Sequence, residues 1–184
     1  MLRLLVITVV FVVGSLAPNV QAKDHLSREH LIKAAFLYRI AKFVEWPAEA
    51  FAETHALTIG ILGEEPLDVA LNAIKNKSVK GREVVIKRFA RIEDLQKCHI
   101  LFISVSERKY LSQIFDALKD LHVLTVGEVK NFAKVGGIIN FVTVKKRIRM
   151  EINIDAARKA GLKISSMLLG VSKIIRDNSI EGND

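Results

Sequence analysis

One cysteine, Cys98, is all that the 184-residue chain contains. No intramolecular disulfide can form, whatever the redox state of the compartment. Cys98 is left as a buried thiol or as one half of a bridge to another chain, and its place at the entry of the most apolar strand-like run favours burial. Proline is nearly as scarce, with three residues, and aromatics make up 7% of the chain. No internal repeat and no low-complexity linker divides the sequence, so it reads as one domain.

Catalytic signatures are also absent. The chain has no G-x-G-x-x-G, no G-K-[ST], no H-E-x-x-H and no G-x-S-x-G pattern. Cys98 and His99 are neighbours in a strand, so their side chains leave on opposite faces and cannot form a thiolate–imidazolium pair. His25, His30, His55 and His122 are scattered. Where a nucleotide-binding fold would hold phosphate, the turn at 60–66 places Glu64 and Glu65, with Asp68 just beyond, at a helix N-terminus. That arrangement suits the macrodipole and repels a phosphate, and a solvated carboxylate cluster is a better account of it than a metal site. The sequence therefore reads as non-enzymatic, with no cofactor and no metal.

Only one long apolar run is present, at 4–13, and it belongs to a leader. Arg3 supplies the positive segment, Pro18 ends the run's helix, and Val20-Gln21-Ala22 fits a small-x-small cleavage pattern. Cleavage is expected after Ala22, leaving 23–184 as a single exported α/β domain. Losing Arg3 changes 28 basic against 20 acidic residues to 27 against 20, or +7. Anionic head groups or acidic protein faces suit an exported basic chain better than nucleic acid does, and a merely solvated basic surface is the simplest account of the charge. At about 160 residues the mature chain buries roughly two-thirds of its unfolded surface.

The best-specified element is a β-hairpin at 135–153. A glycine pair leads into a β-branched run, a basic turn follows, and the return strand alternates. Ile148, Met150 and Ile152 share its core face; Arg147, Arg149, Glu151 and Asn153 share the other. Upstream, a helix is expected at 26–45, capped by Asp24 or Ser27. Its apolar positions are Leu31, Ala34, Ala35, Tyr38, Ala41 and Val44, and Pro47 stops it. Its aromatics Phe36, Tyr38, Phe43 and Trp46 read as packing against a sheet rather than as a cofactor box. Strands follow at 57–63, 83–89, 99–105 and 122–127. Helices are expected at 66–75, at 106–118 capped by Ser106 with Glu107 behind it, and at 129–134. Past the hairpin come a helix capped by Asp155 and ending at Gly161, and a last helix at 166–177 with Met167, Leu168, Val171, Ile174 and Ile175 on one stripe. Residues 182–184 are expected to fray.

The sum is α/β: a single doubly wound, mostly parallel sheet, helices on both faces, and an antiparallel C-terminal hairpin at its edge. Two surfaces are candidates for binding. The polar hairpin face, Lys145, Lys146, Arg147, Arg149 and Glu151, suits a protein partner, against the alternative that its charge only protects a sheet edge. The carboxyl edge of the sheet, with Gly63, Ser104, Ser106, Gly127 and Glu128, is where an α/β domain would hold a small molecule.

Several blocks resemble a known family. Lys33-Ala34-Ala35-Phe36-Leu37-Tyr38, Lys42-Phe43-Val44-Glu45-Trp46-Pro47 and Ile59-Gly60-Ile61-Leu62-Gly63 are followed in order by Cys98-His99-Ile100-Leu101-Phe102-Ile103-Ser104 and Val123-Leu124-Thr125-Val126-Gly127. Arg147-Ile148-Arg149-Met150-Glu151-Ile152-Asn153 and Ala160-Gly161-Leu162-Lys163-Ile164-Ser165-Ser166 complete the set, which spans 27–175 and is similar to the YfiR family. The resemblance implies a periplasmic regulator, often dimeric, that binds the sensor region of an inner-membrane diguanylate cyclase and lowers cyclic di-GMP signalling. Well-studied members carry cysteine pairs that respond to redox state; Cys98 has no partner, so any switch here is not an internal disulfide. The second reading, from another class, is a periplasmic small-molecule binding module with no cyclase target.

Overall fold

A computed structural model describes residues 20–95 and 98–177, with side chains from residue 28 onward except that of Asp68. Residues 1–19 of the leader and the tail at 182–184 lie outside the described residues; the cleavage point expected after Ala22 falls within the first helix.

Helical and strand-like periods alternate along the chain, and the elements follow them. Helix α1 (Val20–Phe43) runs into β1 (Val44–Glu45), then β2 (Leu57–Leu62), α2 (Asp68–Asn72), β3 (Ser78–Val79) and β4 (Arg82–Phe89). Next come β5 (Ile100–Ile103), α3 (Leu111–Ala117), β6 (Leu124–Gly127), β7 (Ile139–Val144) and β8 (Arg147–Asn153). The chain closes with α4 (Ile154–Lys159), β9 (Lys163–Ile164), α5 (Ser166–Leu169) and β10 (Lys173–Ile175). Eight strands form one sheet in the order β10-β8-β7-β6-β5-β2-β4-β3, and β1 pairs separately with β9. β4, β2, β5, β6 and β7 are mutually parallel, while β8 returns antiparallel to β7.

Every residue of β2, β5 and β6 is buried, because helices cover both faces of a parallel sheet and leave no wet side. One core lies under α1, where Leu37, Ile40 and Ala41 meet Ile59, Ile61, Phe102 and Val126; the other lies under α3, where Leu111, Ile114 and Leu118 meet Leu101 and Ile103. Phe36, Tyr38, Phe43 and Trp46 pack partly buried against the first core, as expected of sheet-facing aromatics. Phe132 fills the second so tightly that a Cβ on Gly127 would sit 2.7 Å from its ring and one on Gly137 would overlap it. Those two glycines let the ring lie flat against the strands.

The sequence misplaces several details. α1 begins at Val20, so Asp24 and Ser27 lie inside it, and its buried stripe takes in Lys33, Leu37 and Ile40 while Leu31 and Ala35 face outward. The helix expected at 66–75 is α-helical only over Asp68–Asn72. Ser104 rather than Ser106 caps the helical stretch after β5, which opens as a 3-10 turn. Asn153 rather than Asp155 caps α4, its Oδ1 accepting from Asp155 N and Ala156 N at 3.0 and 2.9 Å.

The expected helix at 166–177 does not form. α5 is one turn long, Gly170 follows it, and Lys173–Ile175 forms a strand parallel to β8. A short run of β-branched residues after a glycine serves an edge strand as readily as a helical stripe. Met167 and Val171 of that stripe are consequently exposed. The hairpin is therefore not the margin of the sheet: β10 lies outside it, paired with Glu151–Asn153, and the outer edge of Arg147–Met150 has no strand against it among the described residues. The opposite margin is β3, a two-residue antiparallel strand turned by Lys80 and Gly81.

Two buried polar groups hold elements together. Asn153, fully buried, also donates from Nδ2 to Ala133 O (2.7 Å) and to Asp177 Oδ1 (2.8 Å), tying β8, α4, the turn before β7 and the end of β10 to one side chain. His99 accepts at Nδ1 from Thr58 N (3.0 Å), which leaves the proton on Nε2 to be donated to Ala50 O (3.0 Å). Phe51 stacks on that ring at 4.2 Å, and the Trp46 indole donates to the His99 carbonyl.

Asn153→Ala removes a cap and leaves buried partners unsatisfied; it is expected to cost about 2–4 kcal/mol, measured as a lower urea midpoint. Burial, opposed by the bond to Ala50, holds the His99 pKa below its ordinary value. The stabilisation from neutral His99 is then complete above about pH 6.5 and lost as pH falls through the lower folded-state value. Urea titrations of wild type and His99→Gln between pH 4 and pH 8 (about the range in which histidine titrates) are expected to show the wild-type advantage shrinking toward acid.

Candidate functional site

The hairpin that joins β7 to β8 turns through Lys145 and Lys146, both with positive φ (48° and 61°). Two successive left-handed residues make the tight turn whose twist matches the flanking strands, and they put two lysines at its tip in place of the usual asparagine and glycine. Strand alternation then separates the faces. Ile148 and Met150 pack partly buried on the α1 side and Ile152 is fully buried, while Lys145, Lys146, Arg147 and Arg149 are exposed. Four basic side chains thus share the protruding end of the hairpin.

Glu151 belongs to the same strand face but is engaged internally. Its carboxylate meets Lys173 Nζ at 2.9 Å and accepts from Asn140 Nδ2 at 3.2 Å. Although burial pushes its pKa up, those two bonds and the lysine charge hold it below the usual carboxylate range. It clamps β10 and β7 to β8. The bulk of the charge available to a partner is therefore positive.

At the carboxyl edge the five residues expected to line a ligand pocket fall into two groups. The strand order reverses between β2 and β5, and there the crevice is occupied by the chain itself. Ser104 Oγ donates to Glu64 O at 2.5 Å; Ser106 Oγ accepts from Glu64 N at 3.1 Å and donates to Glu107 Oε1 at 2.8 Å. Gly63 (φ +85°) turns beneath them, where a Cβ would strike Ser106 and Glu107. Gly127 is covered by Phe132. Glu128 points the other way, to α1.

The main feature there has no local sequence signal. Lys33 is 4% exposed, with Nζ at 2.7 Å from Glu128 Oε2, 3.2 Å from Glu29 Oε1 and 3.6 Å from Glu65 Oε1. His30 Nε2 lies 3.7 Å from the same Glu65 oxygen. Burial alone would lower the Lys33 pKa, but the Glu128 bond and the three negative charges raise it above its ordinary value. Burial lifts Glu65 above the usual carboxylate range, with Lys33 opposing. Two carboxylates that read from sequence as a solvated, dipole-facing cluster, Glu64 and Glu65, divide: Glu64 is exposed, and Glu65 is drawn inward as a counter-ion for α1.

The lone thiol is inside. Cys98 is 6% exposed, and burial pushes its pKa up to about 12 despite Lys87 nearby. No helix among the described residues is long and apolar enough to cross a membrane.

Comparison with known proteins bears on the family and the fold. A family model described as YfiR/HmsC-like matches residues 30–173. That span opens on His30 and Lys33 of α1 and ends on Lys173 of β10. No curated protein matches the sequence. A crystal structure of a conserved domain protein from Vibrio cholerae O1 biovar El Tor strain N16961 is similar in fold, with a TM-score of 0.53 at 12% identity. The likeness covers 77% of this chain and 59% of that one, so this chain spans less than two-thirds of its length.

Removing the ammonium while keeping the stem isolates the ion cluster. Lys33→Met leaves Glu65 and Glu128 without their cation and is expected to cost about 3–5 kcal/mol near pH 7. The deficit is expected to shrink as pH falls through the carboxylate range, because protonation removes the uncompensated charge. Urea midpoints of both proteins at several pH values measure it.

Proposed function

The chain belongs to the YfiR/HmsC-like family, and from that premise we propose that it is a non-enzymatic periplasmic repressor of an inner-membrane diguanylate cyclase, acting by protein–protein contact and so lowering cyclic di-GMP signalling. Family membership supports a periplasmic regulatory role in general and action alongside membrane signalling proteins. The cyclase as target, and the hairpin as the contact, are this proposal's own steps.

The observation that carries the choice of surface is the exposed basic end of the hairpin, Lys145, Lys146, Arg147 and Arg149, beside a stretch of β8 with no outer strand among the described residues. Edge protection alone would call for charge wherever the margin is open. Here β10 covers the inner half of β8 and the charges crowd on the outer half, which edge protection also calls for; the same half is where an acidic loop or strand of a partner can approach. Such a binder represses by preferring the inactive arrangement of its target, since its effect on the equilibrium equals its difference in affinity for the two states. Both arginine side chains have reach and planar geometry for carboxylates.

Arg147→Glu with Arg149→Glu tests the surface without touching the core. The double variant is expected to keep its urea midpoint and to lose repression, with cellular cyclic di-GMP rising to the level of a deletion strain. Rim charge reversal is also expected to slow association with the purified periplasmic part of the target by about tenfold or more at low salt. Intact repression by the variant would remove the hairpin from the mechanism; unchanged cyclic di-GMP on deletion, while the protein is being made, would remove the cyclase.

A further inference from the structure

At the opposite end of the sheet from the self-filled crevice, the amino ends of β2, β5 and β6 open into a cavity of about 690 Å³. That is the size of a small-molecule site. Its lining is divided by chemistry. Apolar side chains, among them Ile92, Leu95, Leu118 and Val123, supply the wall, with the Cys98 thiol among them. Among the described residues, the charged groups at it are the carboxylates of Glu49, Glu53 and Asp120 against the ammonium of Lys87, a formal balance of −2, in a chain whose total is +8.

The two lining histidines refine the chemistry. His99 uses both ring nitrogens on Thr58 N and Ala50 O and offers a ligand none. His122 is different: Nδ1 lies 2.9 Å from Ala160 O, and a carbonyl only accepts, so that nitrogen carries the proton. Nε2 of the neutral ring is then an acceptor. An apolar wall, an excess of carboxylates and an acceptor imidazole suit one kind of molecule.

We propose that this cavity binds a small organic cation, a primary amine carried on an aromatic or branched apolar body. The body displaces water from the Leu95, Leu118 and Val123 wall, and the ammonium sits among Glu49, Asp120 and His122. Site and class are independent of the repressor reading: the hairpin and the cavity share no residue.

The probe is phenethylamine, with 3-phenylpropionate as a control of nearly the same body and opposite charge. Titrations of the full chain are followed by its histidine ring resonances, His122 being assigned from His122→Gln. Phenethylamine is expected to shift the His122 resonance saturably and to raise Tm, while phenylpropionate does neither. Glu49→Gln with Asp120→Asn, both at exposed positions, is expected to weaken the amine by about tenfold; asparagine keeps the left-handed backbone that Asp120 adopts (φ 63°). Ala117→Trp, on an exposed lining position of α3, is expected to abolish the shift with the unliganded Tm unchanged. Equal responses to amine and acid, or an amine response that survives both variants, would overturn the proposal.

Discussion

The structure depends on how α1 is held against the sheet. The central strands are buried on both faces, so without α1 one entire face of apolar side chains would meet water. Leu37, Ile40, Ala41 and Val44 make the apolar part of that contact. Apolar burial is non-directional and would tolerate a helix that slid along its axis. Lys33 does not, because its ammonium has to meet Glu65, beyond β2, and Glu128, beyond β6, at once. At the other end, β1 continues from α1 and pairs with β9, and Lys80 Nζ donates to the Val44 carbonyl at 3.0 Å. Register is thus fixed by polar contacts at both ends and strength is supplied between them.

The same division between directional and non-directional forces decides what was legible in the sequence. The parallel core was readable because continuous runs such as 57–62 and 100–103 fit only strands buried on both faces. The hairpin was readable because period-two alternation assigns each side chain to a face. Lys33 was not, since its partners Glu65 and Glu128 lie on distant loops and an isolated helical lysine is ordinarily a solvated one. β10 was missed because three residues carry no periodicity, and its pairing to β8 is a tertiary choice. The cap of α4 slipped by two residues because Asn153 and Asp155 are both good caps; Asn153 is selected by the extra bonds to Ala133 and Asp177 that only the fold creates.

The candidate surfaces divide in the same way. The position of the carboxyl-edge crevice follows from strand order, which the sequence implies. Whether it is vacant depends on rotamers and loop path, and Ser104 and Ser106 turn back onto Glu64. The amino-edge cavity lies between the end of α3, the turn at 48–51 and the approach to β5, segments brought together only when α1 and the sheet are complete. No local motif marks it.

For the proposed repressor contact, charge and affinity have different sources. Four basic side chains on a protruding turn raise the rate of encounter with an acidic face and set its salt dependence, but exposed ion pairs contribute little to residence time. Tight repression needs a desolvated apolar anchor within the same footprint. Val144, at the hairpin tip, is 51% exposed, and Val171, two residues before β10 joins Glu151, is 67% exposed. Because β10 runs parallel to β8, the chain just before Lys173 lies on the side of Arg149 and the hairpin tip. A partner loop laid along the open edge of Arg147–Met150 would then meet arginines on one side and valine at either end. That is the arrangement in which steering and anchoring fall within one contact, and it would tie the proposed repression to the short strand that the sequence alone concealed.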